Sequence, residues 1–308
     1  MTAINNNQQD EPLPYSPVVL LLVDGWGVAP LSEANAIHPE DTPTFNNLIV
    51  DYPVALLSVG DKNLNTRYLS LGAGSDLKNE KTNPAAIITR VIANAGLKQV
   101  KITETERLAA LTYFFNGHSD NKAPNEDWKI ISSQTAGDRK KSIEVANKIT
   151  TELINCLKTE QYHFLAVSLP TLDLVAASGE QKIIKKAIGA VDNNLRKIAA
   201  MVLEKNGVLL LTAAAGNIEN IKNMATELLD DEITDNPVPL IIIGDSFKGM
   251  TIGFSEPLNN DLSLLAPVGN LGDLAPTILD IMNLPKPRGM TGNSLINQEW
   301  LNKKTSSE

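Results

Sequence analysis

Residues that build metal centres and disulfides are scarce in this chain. Among 308 residues there is one cysteine, Cys156, and there are three histidines, His38, His118 and His163. A single cysteine excludes an intramolecular disulfide framework and is compatible with a reducing compartment. Cys156 lies in an apolar pattern of helical spacing and reads as a small core residue. Basic residues are also in deficit: 27 Lys and Arg stand against 36 Asp and Glu, a net charge of −9. Binding to nucleic acid or to an anionic membrane needs a basic face, so neither partner is expected. Long hydrophobic runs are missing too. Pro17 to Val23 and Val238 to Ile243 fall far short of the ~20 apolar residues that cross a bilayer. The polar segment 1–16 has no basic start, which makes it a disordered leader rather than a signal peptide. Residues 299–308 read as a flexible tail. These absences together lead us to expect a cytoplasmic protein.

What is present is a chain with 43% hydrophobic residues, enough to fill a sizeable core. Continuous apolar runs at Val18–Val23, Phe164–Leu169, Val208–Leu211 and Val238–Ile243 suit strands covered on both faces, and Val100–Ile102 is a shorter one. Helical patterns lie between them. Thr42 followed by Pro43 opens a short helix, with Thr42 as its N-cap. Asn83-Pro84 opens another that closes at Gly96. Helical spacing recurs over 105–115, and Ser142–Leu157 and Lys182–Leu203 are long and amphipathic. A last helix follows Gly272–Pro276 and ends near Leu284. Residues 61–83 and 116–138 are weakly patterned and read as loop-rich. Strands alternating with helices predict an α/β fold: a doubly wound α/β/α sandwich with a largely parallel central sheet. The expected organisation is one domain over 17–298.

In such sheets ligands bind beyond the carboxyl ends of the strands. Three short segments fall there: Asp24-Gly25-Trp26-Gly27, Asp173 to Gly179, and Thr212-Ala213-Ala214-Ala215-Gly216-Asn217. An Asp before Gly at a strand end is also a common turn or cap residue. Position alone therefore marks Asp24 and Asp173 without assigning them.

Ordered motifs carry a resemblance. They include the apolar run ending in Asp24-Gly-Trp-Gly27, then Asn35-Ala36-Ile37 with Thr42-Pro43, and Leu71-Gly-Ala-Gly74. Ile102-Thr-Glu-Thr-Glu-Arg107 and Phe114-Phe-Asn-Gly117 follow. The second half adds Thr212-Ala213, Gly216-Asn217, Asn236-Pro-Val-Pro239, Asp273-Leu-Ala-Pro-Thr277, Leu284-Pro-Lys-Pro287 and Met290-Thr-Gly292. From about Val18 to Ile296 the chain resembles the cofactor-independent (2,3-bisphosphoglycerate-independent) phosphoglycerate mutases of the alkaline phosphatase superfamily. The resemblance implies an alkaline-phosphatase-like metalloenzyme core. It also implies that the family's inserted substrate domain is absent, since the chain passes from Gly74 to Lys98 without room for it.

In that family two manganese or similar ions activate a serine, and the phosphoryl group passes through a phosphoserine. A pair of ions stabilises the attacking and leaving oxygens together. Carried over residue by residue, the resemblance makes Asp24 a metal ligand. Asp173 becomes the first ligand of an Asp-x-x-x-His motif whose histidine position is Ala177. The family's Asp-His pair falls on Ala214 and Ala215, and a further histidine falls on Ile233. The serine position is Leu64, with Thr66 and Ser58 as nearby hydroxyls. Arg107 stands where the family has a substrate-contacting lysine.

The expectation is a pseudoenzyme that keeps the fold and acts through a protein partner or a phosphorylated small molecule. Asp24 and Asp173 would be remnants, with no cofactor, or with manganese or magnesium if any site survives. The alternative is a metal-dependent phosphatase, or a mutase interconverting 2- and 3-phosphoglycerate in glycolysis, with a rebuilt site.

Overall fold

The apolar runs become the centre of one eight-stranded sheet. The strands are β1 (Val18–Leu22), β2 (Val54–Ser58), β3 (Gln99–Glu104), β4 (Glu126–Ile131), β5 (Phe164–Ser168), β6 (Val208–Thr212), β7 (Val238–Ile243) and β8 (Gly269–Asn270). Their order is β4-β3-β5-β1-β6-β7-β2-β8. β1, β5, β6 and β7 are buried along their whole length, which is why they read as unbroken hydrophobic runs rather than alternating ones. The computed structural model describes residues 13, 15–77, 86–133, 141–222, 226, 228–230, 232–253 and 260–296. Most of the expected leader, all of 299–308 and the Asn83-Pro84 helix start lie outside the described residues.

The helices are α1 (Pro43–Asp51), α2 (Leu64–Ala73), α3 (Ile88–Asn94), α4 (Lys141–Lys158), α5 (Thr171–Ala176), α6 (Gln181–Glu204) and α7 (Leu274–Ile281). Helices α1, α4 and α5 pack around α6 on one layer. Helix α2 packs with α3, α7 and the 105–115 segment on the other. This is the expected doubly wound α/β sandwich, and five of its strands, β4, β3, β5, β1 and β6, run parallel side by side.

Several expectations are corrected. Val238–Ile243 is a strand, but it runs antiparallel to both β6 and β2. Residues 61–83 are not all loop, because α2 occupies Leu64–Ala73. Its buried face carries Arg67, Tyr68 and Ser70, so the apolar periodicity that reveals a helix is diluted by polar groups. Residues 116–138 likewise contain β4, and 54–58 form β2. The 105–115 segment is a 3-10 turn at Thr105–Arg107 followed by a π-helical stretch at Ala110–Phe114. Thr42 precedes α1, but its hydroxyl donates to the His38 carbonyl (3.3 Å). The cap is supplied from α6 instead. The Asp192 carboxylate accepts from the Thr44 and Phe45 amides at 3.0 and 2.9 Å. A distant acidic side chain thus does what the local Thr was expected to do.

Strand β4 hides a buried ion cluster. Lys101 Nζ lies 2.9 Å from Glu126 Oε1, with both side chains withdrawn from water. Asn116 accepts from Lys101 and donates to both Glu126 oxygens (3.3 and 3.2 Å). Trp128 Nε1 (2.9 Å) and the Ala123 amide (2.6 Å) complete the shell around Glu126. Burial lowers the Lys101 pKa to about 8, against the pull of Glu126. Glycine matters where α2 meets the 105–115 segment: a Cβ on Gly72 would collide with the Phe115 carbonyl.

Candidate functional site

Asp24, just past β1, meets Asp173, which was expected at a strand end but lies in the first turn of α5, beyond β5. Gly25 makes this possible. Its φ of +97° lies in the left-handed region, and a Cβ there would run into the Asp173 backbone nitrogen. The Asp173 amide in turn donates to the Asp24 carbonyl (3.1 Å). Ala215 is tied to the same turn, since its carbonyl accepts from the Gly25 amide (2.8 Å).

The Asp24 carboxylate is fully buried. Its Oδ1 accepts from the Ala214 amide (3.0 Å). Its Oδ2 accepts from the Tyr68 hydroxyl (2.5 Å) and lies 3.4 Å from Ser168 Oγ. Arg107 approaches from the 3-10 turn after β3. Its Nε is 3.7 Å from Asp24 Oδ2, and its terminal NH2 group donates to Asp173 Oδ2. Asn217 Nδ2 holds the other Asp173 oxygen (3.1 Å). One guanidinium therefore bridges the two carboxylates.

Electrostatics follow from burial. Burial pushes the Asp24 carboxyl above its ordinary range, offset in part by the Arg107 cation, the Tyr68 hydroxyl and the Ala214 amide. Burial and the Asp24 charge push the Tyr68 phenol well above 10, so it stays protonated and serves as a donor rather than a nucleophile. Burial opposes the charge on Arg107, but Asp173 and Asp24 outweigh it and raise the guanidinium.

A second guanidinium lies nearby. Arg67, buried on α2, donates to the carbonyls of Ala214 (3.4 Å) and Thr234 (3.2 Å) and reaches Asp235 Oδ1 (3.3 Å). Glu219, 1% exposed, fastens the adjoining backbone. It accepts from the amides of Gly27 (3.1 Å) and Asn217 (2.8 Å), from Asn236 Nδ2 (3.0 Å) and from the Thr234 hydroxyl.

The remaining candidates fall as follows. Leu64 is the first residue of α2 and packs against the core, while Asn63 caps that helix by accepting from the Asn65 amide (2.9 Å). Thr66 lies half-buried one turn in. Ser58, exposed at the end of β2, donates to the Gly269 carbonyl (3.2 Å). Ala214 and Ala215 are buried, Ala177 is exposed after α5, and Ile233 is half-buried before β7. The histidines stay apart. His163 Nδ1 accepts from the Lys98 amide (3.1 Å), and His118 lies beside the rings of Tyr113 and Phe114. Sequence reasoning missed Arg67, Tyr68, Ser168 and Glu219. Leu64, Tyr68 and Leu71, spaced i, i+4, i+7, were the available signal for Tyr68.

A family model described as the metalloenzyme superfamily matches residues 16–286. The chain belongs to the metalloenzyme superfamily. Among curated superfamily relatives, the 2,3-bisphosphoglycerate-independent phosphoglycerate mutase of Acetivibrio thermocellus is 37% identical over 206 residues, covering 67% of this chain and 37% of the relative. The enzyme of the same name from Ehrlichia canis is 33% identical over 259 residues, covering 84% of this chain and 47% of the relative. The chain thus spans less than half the length of these curated relatives. The crystal structure of Leishmania mexicana phosphoglycerate mutase aligns with a TM-score of 0.58 at 24% identity, covering 68% of this chain and 39% of that one. TAB5 alkaline phosphatase aligns with a TM-score of 0.52 at 10% identity, covering 89% of this chain and all of the other. These structural likenesses bear on the fold, which is of the alkaline phosphatase type.

Membership of the metalloenzyme superfamily implies metal ions, and the residues here do not fit a two-metal cluster. The guanidinium of Arg107 already occupies the gap between Asp24 and Asp173. Among the described residues, no group of three or more His, Cys, Asp and Glu side chains is placed to hold a metal ion. Ala177, Ala214, Ala215 and Ile233 offer no side-chain donor atoms.

Proposed function

We propose that this protein is a phosphoglycerate-mutase-like member of the superfamily that does not transfer phosphoryl groups and acts by binding. The observation that carries this reading is the Arg107 guanidinium on Asp24 and Asp173, where a phosphotransfer site needs open carboxylates and divalent cations. Leu64 at the start of α2 supports it. A leucine cannot be phosphorylated, and the neighbouring Tyr68 phenol is buried, protonated and committed to Asp24. Asp24 and Asp173 are on this reading structural remnants of a catalytic centre. The ligand is a protein partner or a phosphorylated small molecule. Binding takes place in the cytoplasm and does not involve a membrane; no described helix is long and apolar enough to cross one.

The test is an assay for interconversion of 2- and 3-phosphoglycerate and for hydrolysis of p-nitrophenyl phosphate, each with added manganese or magnesium. The expected result is no turnover above the buffer blank. Metal-dependent turnover in either assay would favour a metallo-phosphatase or mutase with a rebuilt site.

A further inference from the structure

We infer that Arg107 is the resident cation of this site: a side chain that supplies permanently the positive charge Asp24 and Asp173 require to remain buried together. The inference deepens the non-catalytic reading and rests on it. The Asp173 amide bonds to the Asp24 carbonyl (3.1 Å), so the backbone holds the two acidic residues side by side whatever neutralises them. Asp24 is 0% exposed and the Asp173 side chain 13% exposed, so water solvates neither carboxylate well. Two carboxylates fixed this closely repel, and burial magnifies the repulsion.

Arg107 answers both charges from one rigid planar group. Its terminal nitrogen lies on Asp173 and its Nε faces Asp24 (3.7 Å), with only 13% of its own side chain exposed. Glu104, buried at the end of β3, contributes further negative potential around the guanidinium. A lysine ammonium is a point charge and cannot present two separate nitrogens in a plane. The flank occupied by Ala214 and Thr234 has its own buried guanidinium, Arg67, directed at their carbonyls. The charge balance of the acidic pair is thereby assigned to a side chain of the chain itself.

The experiment compares thermal melting of the full chain, of Arg107→Met, and of the triple variant Asp24→Asn/Asp173→Asn/Arg107→Met. Arg107→Met is expected to melt roughly 5–10 °C lower, because it strands two buried carboxylates. The triple variant removes the charge and its counter-charges together and is expected to recover at least half of that loss. If Arg107→Met yields no folded protein, the folding and melting of the triple variant decide the matter alone. The wild-type chain, dialysed against manganese, is expected to retain none after removal of free metal. Three results would overturn the inference: Arg107→Met melting with the wild type, a triple variant melting no higher than Arg107→Met (or, where Arg107→Met does not fold, failing to fold itself), or tight stoichiometric manganese in the wild type. Turnover by the wild type, with the stability pattern as expected, would sink the non-catalytic reading and leave the role of Arg107 standing.

Discussion

At the β3–β4 edge, Lys101 and Glu126 pair at 2.9 Å with both side chains out of reach of water, whereas beyond β1 Arg107 faces two carboxylates and keeps 13% of its side chain exposed. Both clusters bury charge on the same sheet. In the first, each acceptor on Glu126 meets a donor from Lys101, Asn116, Trp128 or Ala123, and the Lys101 ammonium lies over the Phe115 ring, 4.9 Å from its centre. In the second, one cation is shared between two acids, and Arg107 Nε has no hydrogen-bond partner closer than the 3.7 Å to Asp24. The contrast separates a cluster in which one cation meets one acid inside a full shell of donors from one in which a single cation serves two acids. At the second site a turn at Gly25 brings an acidic pair together, and an arginine balances its charge.

Removing one partner tests how closed the first cluster is. Lys101→Ala strands Glu126 in the interior and should cost about 3–5 kcal/mol, read from urea denaturation. The double variant Lys101→Met/Glu126→Leu should recover most of that loss; equal losses in the single and double variants would mean the pair is not what holds β4.

Glu219 is the next largest lever, and it sharpens the second region. Glu219→Ala leaves four donors around Gly27, Asn217, Thr234 and Asn236 without their acceptor and should cost about 2–3 kcal/mol. A loss within error of zero would show that the strand-end frame does not depend on this carboxylate.

The smallest effect is a titration. Lys101 has a pKa of about 8 in the folded protein, against 10.5 for an unperturbed lysine. Between those values the unfolded chain holds the proton more tightly than the folded one. The group therefore adds stability as pH rises through this window, about 1 kcal/mol between pH 8 and 9. Comparing denaturation midpoints of the wild type with Lys101→Met/Glu126→Leu at those two pH values isolates it, since the double variant should lack the gain.

The difference between the regions also explains what the sequence disclosed. Strands buried on both faces are spelled out as Val18–Leu22 or Phe164–Ser168, so the sheet and its layers were legible. Strand β2, the two-residue β8 and the edge strand β4 were not. The edge strand reads Glu-Asp-Trp-Lys-Ile-Ile, with only Glu126 fully buried, and no periodicity announces such a pattern. At the site, Asp24 and Asp173 stood out as motif positions following predicted strands, though their contact through the turn at Gly25 did not. Arg107 was legible as a motif position, but not as their counter-ion: its partners lie 83 (107 − 24) and 66 residues away in the chain. Tyr68, Arg67 and Glu219 escaped for the same reason, because a buried polar residue is recognised by its distant partners. The Thr42 cap failed likewise, since local capping chemistry lost to Asp192 across the fold.

The most direct test of the central claim combines metal content with phosphoenzyme formation. The purified chain is loaded with manganese, freed of unbound metal, incubated with 3-phosphoglycerate, and then analysed for bound manganese, for 2-phosphoglycerate and for protein mass. The account predicts a metal-free, unphosphorylated chain and unchanged substrate. Stoichiometric manganese together with 2-phosphoglycerate, or a covalent phosphoryl group on the protein, would contradict it.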